Sequence, residues 1–171
     1  MPKVSALRLV EAAILPAIII IATKLLALFV ASLIFGISWE FNLAAFENNF
    51  LVFQYSSQSD LSTVINFSDM LVVLVCSAGF TWALFQAHHL NIDKTHPTLI
   101  SKIYNKGRQF WLTTTGRVDH LAAVWLGLLW LVFFMVLVDV YQCLTSQFVL
   151  GVALAVTIGL TFAFYEFAKS R

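Results

Sequence analysis

The sequence predicts an all-α fold, an integral membrane four-helix bundle, and three observations carry the prediction. Of 171 residues, 60% are hydrophobic and 11% charged, against about 25% charged in a typical soluble domain. Four apolar runs of roughly 20 residues each are long enough to cross a hydrocarbon core about 30 Å thick. Lys and Arg gather in alternate connections and leave the others empty. A single membrane domain accounts for the whole length, with no internal repeat.

The first span is expected over residues 12–35. Glu11 and Lys24 interrupt its apolar run, and bulky Phe29 two positions before Ala31 makes a poor cleavage site. It therefore reads as a retained helix rather than a signal peptide. Pro16 should kink it, because the ring removes a backbone donor. The connection that follows, 36–68, is rich in aromatics: Trp39, Phe41, Phe46, Phe50, Phe53 and Tyr55. Phe50–Tyr55 and Leu61–Phe67 flank a polar run and can pair as a β-hairpin. A two-stranded hairpin alone is marginal, so a segment lying on the outer interface is the preferred expectation.

The second span is expected over 69–90, with Ser68 as its cap and Asp69 in its first turn, where a carboxylate complements the helix dipole. In the connection 91–118, Pro97 suits a helix start and Gly107 a stop. Leu99, Ile100, Ile103 and Tyr104 fall on one face with Lys102 and Lys106 off it, and Phe110, Trp111 and Leu112 follow. This pattern predicts a basic amphipathic helix in the headgroup layer. The third span, 119–141, has Asp119 as a candidate cap. The fourth, 146–167, has Thr145 or Ser146. The short turn between them makes the third and fourth helices antiparallel neighbours.

Orientation follows from the loop charges. Lys3 and Arg8 precede the first span, Lys94, Lys102, Lys106, Arg108 and Arg117 lie between the second and third, and Lys169 and Arg171 follow the fourth. The other two connections hold no Lys or Arg, and 36–68 carries Glu40, Glu47 and Asp60. Both termini and the 91–118 loop are expected in the cytoplasm, with the chain in the cell (inner) membrane.

Small residues mark the packing seams. Gly151, Ala155, Gly159 and Ala163 recur every four residues, Gly79, Ala83 and Ala87 repeat the pattern in the second span, and Ala123 and Gly127 occur in the third. Such stripes let helix backbones approach closely. They are expected to pack within the bundle or to receive a partner subunit or a second copy.

Charges inside a hydrocarbon core are costly and mark function by default. Lys24 falls near the middle of the first span, roughly 16–18 Å from either boundary. Asp69 and Asp139, counted the same way, fall near the outer boundary, and Ser77, Thr81 and Thr157, at a closer depth, could only solvate the ammonium. Lys24 is therefore expected to be neutral, to be a tolerated, solvated lysine, or to meet something outside this chain, a carboxylate on a partner helix or an anionic substrate. Asp69 and Asp139 suit helix boundaries, or ion and proton handling.

His88, His89, His96 and His120 collect at the cytoplasmic boundary with Asp93 and Asp119. Imidazoles on adjacent helices can ligate haem iron or a metal. His88 and His89 point about 100° apart on a helix, so one of them at most would face His120. No zinc spacing occurs, and Cys76 and Cys143 form neither a disulfide framework nor a thiolate metal site. No cofactor is expected.

The chain contains no nucleophile elbow, phosphate loop or carboxylate pair at helical spacing. An enzyme is not expected, nor nucleic-acid binding, since topology and lipid account for the basic loop. The first expectation is a small non-catalytic subunit or accessory protein of an inner-membrane complex. One alternative is a solute or proton transporter component using Lys24, Asp69 and Asp139. The other is a haem-binding redox subunit. In topology alone, with both ends inside and a basic loop after the second span, the chain resembles the small membrane subunit of tripartite periplasmic transporters. The resemblance specifies no residue.

Overall fold

A computed structural model describes residues 6–41, 53–92 and 115–169, with side chains over 13–40, 55–86 and 121–169. The elements run α1 (Ala6–Phe35), β1 (Trp39–Phe41), β2 (Phe53–Tyr55), α2 (Gln58–Ile92), α3 (Thr115–Tyr141) and α4 (Gln147–Lys169). All four helices are long and apolar enough to cross a membrane. The expected amphipathic helix near 97–107 lies outside the described residues. So do the side chains of His88, His89, His120 and Ala87, and the whole of His96 and Asp93.

The largest departure from expectation is the start of α2. It begins at Gln58 rather than near Asp69. Ser57 caps it by accepting the Asp60 N–H at 3.1 Å, and Asp60 supplies the carboxylate of the first turn. Ser68 is instead fully buried within the helix and donates to the Ile65 carbonyl. The cause lies in residues 58–68, too polar to look like a span yet amphipathic. Leu61, Val64 and Ile65 share one face, and Ser59, Ser62, Thr63 and Asn66 share another, both at i, i+3, i+4 spacing.

The aromatic connection does contain a hairpin, with other partners than expected. Trp39, Glu40 and Phe41 pair antiparallel with Tyr55, Gln54 and Phe53. Gly36, at φ +63°, ends α1 in the left-handed conformation glycine tolerates, and Ile37 N–H returns to the Ser32 carbonyl at 2.9 Å. The hairpin rests on the helices: Trp39 meets Phe29 edge-on, and Tyr55 packs beside Leu28, Ala31, Val64 and Ile65.

α2 is central and packs against the other three helices. The main core joins Val72, Cys76, Phe80 and Ala83 of α2 to Ala122, Trp125, Leu129, Val132 and Val136 of α3 and to Val149 and Ala153 of α4. The α3 positions alternate three and four residues apart, the seam spacing of left-handed helix packing. Gly79 is required at this seam. A Cβ there would lie 2.7 Å from the Trp125 ring. Outside the core the surface is apolar, with Ile18, Leu26, Phe134 and Phe162 each more than half exposed. That pattern suits hydrocarbon as solvent.

The α4 stripe behaves differently. Its buried face is Val149, Ala153 and Thr157, whereas Gly151, Ala155, Gly159 and Ala163 are exposed. Two residues along a helix is about 200° of rotation, so stripe and core face lie on opposite sides. Apart from its chain neighbours and the nearby backbone of its own helix, neither Gly151 nor Gly159 has a described atom within 4 Å of where a Cβ would stand, and Gly127 of α3 is equally open. The expectation that this stripe packs inside the bundle is thus corrected.

Candidate functional site: a charge cluster shared by three helices and the α3–α4 turn

The new start of α2 changes the depth of Asp69. Lys24 lies eleven residues before the end of α1, and Asp69 eleven residues after the start of α2. In antiparallel neighbours both are then about 16 Å from the same end, and they meet. Lys24 Nζ donates to Asp69 Oδ1 in an ion pair, and Asp139 Oδ2 stands 3.7 Å from the same nitrogen. The expectation that Lys24 lacks a partner in its own chain is therefore wrong. It came from starting α2 at Asp69, which set that carboxylate three turns too shallow. Ser77 and Thr81, thought able to solvate the ammonium, instead donate to the Val73 and Ser77 carbonyls of their own helix.

Each charge arrives by a different route. Asp139 comes from the last turn of α3, since that helix stops at Tyr141, level with the middle of α1. The turn 142–146 places Cys143 at φ 58° and returns the Leu144 and Thr145 N–H groups to the Asp139 carbonyl at 2.8 and 3.3 Å. Thr145, buried there, donates its hydroxyl to Asp69 Oδ2. One residue on, Ser146 donates both its N–H, at 3.0 Å, and its hydroxyl, at 2.9 Å, to Asn66 Oδ1. Ser146 Oγ also accepts the Val149 N–H at 3.4 Å, the expected cap of α4.

The Asp69 side chain is 0% exposed, Lys24 22% and Asp139 18%. Both Asp69 oxygens have a donor, which a buried carboxylate requires. Taken as ionised, one ammonium faces two carboxylates, so the cluster carries one negative charge in excess. A charge in low dielectric is expensive unless neutralised, and a single proton would neutralise this one.

Lys24, Asp69 and Asp139 were recognisable as charges within apolar runs. Thr145 and Asn66 were not recognised as members of the site, although Asn66 and Asp69 at i, i+3 share a helix face. Among the described residues no group of three or more His, Cys, Asp or Glu is arranged to hold a metal ion. Compared with family models, curated proteins and solved structures, the chain matches none.

Proposed function

We propose that this chain is a small multi-pass membrane protein that handles protons, as a component of a transporter, through Lys24, Asp69 and Asp139. Convergence of the three residues from three helices, two carboxylates on one ammonium, carries the reading. Charges at such depth persist where they relay or bind charge. Proton uptake would neutralise the cluster, and proton release would restore its excess charge, with Lys24 holding the remaining carboxylate. The loop charges orient the chain with both termini and the 91–118 loop in the cytoplasm, so the hairpin and the α3–α4 turn face outward. The host is an inner, or cell, membrane. Flux of protons driven by a pH step across membrane vesicles tests the reading. Asp139→Asn is expected to abolish flux carried by the wild type while the chain still inserts and melts normally. Unchanged flux in that variant removes the proposal.

A second reading, a non-catalytic subunit or accessory protein of a membrane complex, is favoured by the outward stripe of α4. Gly151, Ala155, Gly159 and Ala163 present backbone to the surroundings, and lipid chains gain little from such a groove. Other membrane subunits or a second copy would fill it. Lys24, paired internally, no longer supports this reading. Haem or metal ligation by His88, His89 and His120 gains no support, and the lipid bilayer is the remaining partner.

A further inference from the structure

α1 and α2 continue beyond the α3–α4 turn, and the height of that step follows from one contact. Ser146 of the turn binds Asn66, which stands eight residues into α2, so about 12 Å of α2 rises above the turn. The faces of this rise differ. Val64 and Ile65 are buried against Leu28 and Ala31 of α1. Ser59 and Thr63 are exposed, with Ser62 and Asn66 half-buried. Asn66 fixes where that second face points, namely over the turn and the start of α4, and Ser59, Ser62 and Thr63 stack on it at helical spacing. Asp69 continues the same row one turn deeper. The Ser62 and Thr63 hydroxyls both donate to the Ser59 carbonyl, at 2.9 Å each, and keep lone pairs free for water. On the other side of the rise, α1 is apolar up to its end: Leu26, Leu33 and Ile34 are each more than 60% exposed. On the membrane reading, hydrocarbon reaches this height on the α1 side, whereas hydroxyls and an amide line the side above the turn.

We propose that the step which the described residues leave open above the α3–α4 turn is a water-filled notch, and that protons reach the Lys24–Asp69–Asp139 cluster through it along the Ser59–Ser62–Thr63–Asn66 face. The proposal rests on the reading of the cluster as a proton site. The notch floor is the turn itself, with Cys143 exposed and Thr145 linking it to Asp69. Lys24 and Asp139 retain partial exposure. Protons move along hydrated polar surfaces and not through packed apolar side chains, so the polar row supplies the only stretch of the described rise suited to carrying them.

A membrane-impermeant, charged maleimide tests the notch, because a thiol reacts as its thiolate and so needs water. Cys143 is the native reporter, and Cys76 is buried. For the other positions Cys143→Gly provides the background, since glycine accepts the left-handed backbone. Reagent added on the hairpin side of intact cells is expected to label Cys143 in the wild-type chain and Thr63→Cys in the background. Leu33→Cys, at similar height on the apolar face of α1, should remain unlabelled. Labelling of Cys143 in the wild-type chain, on the notch floor, should lower the proton flux of that chain. Failure of Thr63→Cys to react while Cys143 does, equal reaction of Leu33→Cys, or unchanged flux after labelling overturns the notch. If Asp139→Asn keeps full flux, the proton reading fails by itself, and the labelling pattern still decides whether water fills the step.

Discussion

Asp69 shows how much one buried side chain depends on its neighbours. Its two oxygens are held by Lys24 and Thr145, from α1 and from the turn before α4. Removing the ammonium strands a carboxylate with only a neutral hydroxyl as donor. Breaking one side of a buried pair typically costs about 3–5 kcal/mol, while exchanging the whole pair for apolar residues is often neutral or better. Lys24→Leu is therefore expected to lower stability in detergent by that amount, and Lys24→Leu with Asp69→Leu to recover most of it. Denaturant unfolding of the two variants checks this. If the single variant is as stable as the double, Asp69 is not held by Lys24. The cost of these charges was legible in the sequence because a lysine or aspartate stands out in an apolar run. Their pairing was not, because depth counted along a helix is only as good as the residue from which counting starts.

At the scale of the element, α2 and α4 give opposite lessons about pattern. The first turns of α2 were missed because hydropathy, not amphipathic period, set the boundary. Leu61, Val64 and Ile65 already marked a helix packed on one side. In α4 the small residues were evident, yet their direction was not, since a stripe has no meaning until the core face is known. Val149, Ala153 and Thr157 take the core side and turn Gly151 and Gly159 outward. Two glycine substitutions separate the cases. Gly79→Ala forces a methyl group against the Trp125 ring, and overpacking of this kind costs about 1–3 kcal/mol. Gly159→Leu meets open space and should leave the unfolding midpoint unchanged. Under the second functional reading, Gly159→Leu also reduces the amount of protein co-purifying with the chain in mild detergent. An unchanged yield would count against a partner on that face.

For the whole molecule, four helices long and apolar enough to span a membrane and the antiparallel α3–α4 pair were legible from composition, run length and a short turn. The offset between the two helical hairpins was not. It depends on α3 ending and α4 starting level with the middle of α1, and only tertiary contacts such as Ser146 with Asn66 fix that height. The outcome is a bundle tied at one level by a polar cluster to which α1, α2, α3 and the α3–α4 turn contribute, with the β1–β2 hairpin resting on the taller pair.

On the proposed reading as a membrane protein, that ion pair also bears on how the chain would enter the bilayer during synthesis. The α2 span has a mean hydropathy of 1.8, the lowest of the four, against 2.6 for α1. A charged residue at mid-helix costs about 2.5–3.5 kcal/mol on insertion scales. The α1 span can absorb that cost in its long run of Ile and Leu, whereas the α2 span has less to offset Asp69. Lys24, already in place, would lower the barrier for the helix made after it. In a chain ending at residue 92, Lys24→Leu should make α1 insert more readily and α2 less so, and Asp69→Leu should restore α2. Glycosylation acceptor sites on either side of each span would read both effects. Equal insertion of α2 with and without Lys24 would mean that the two charges meet only after both helices are in the bilayer. Otherwise the lysine acts on the nascent chain as an internal counterion, and the most costly residue of the first helix becomes the means by which the second is accepted.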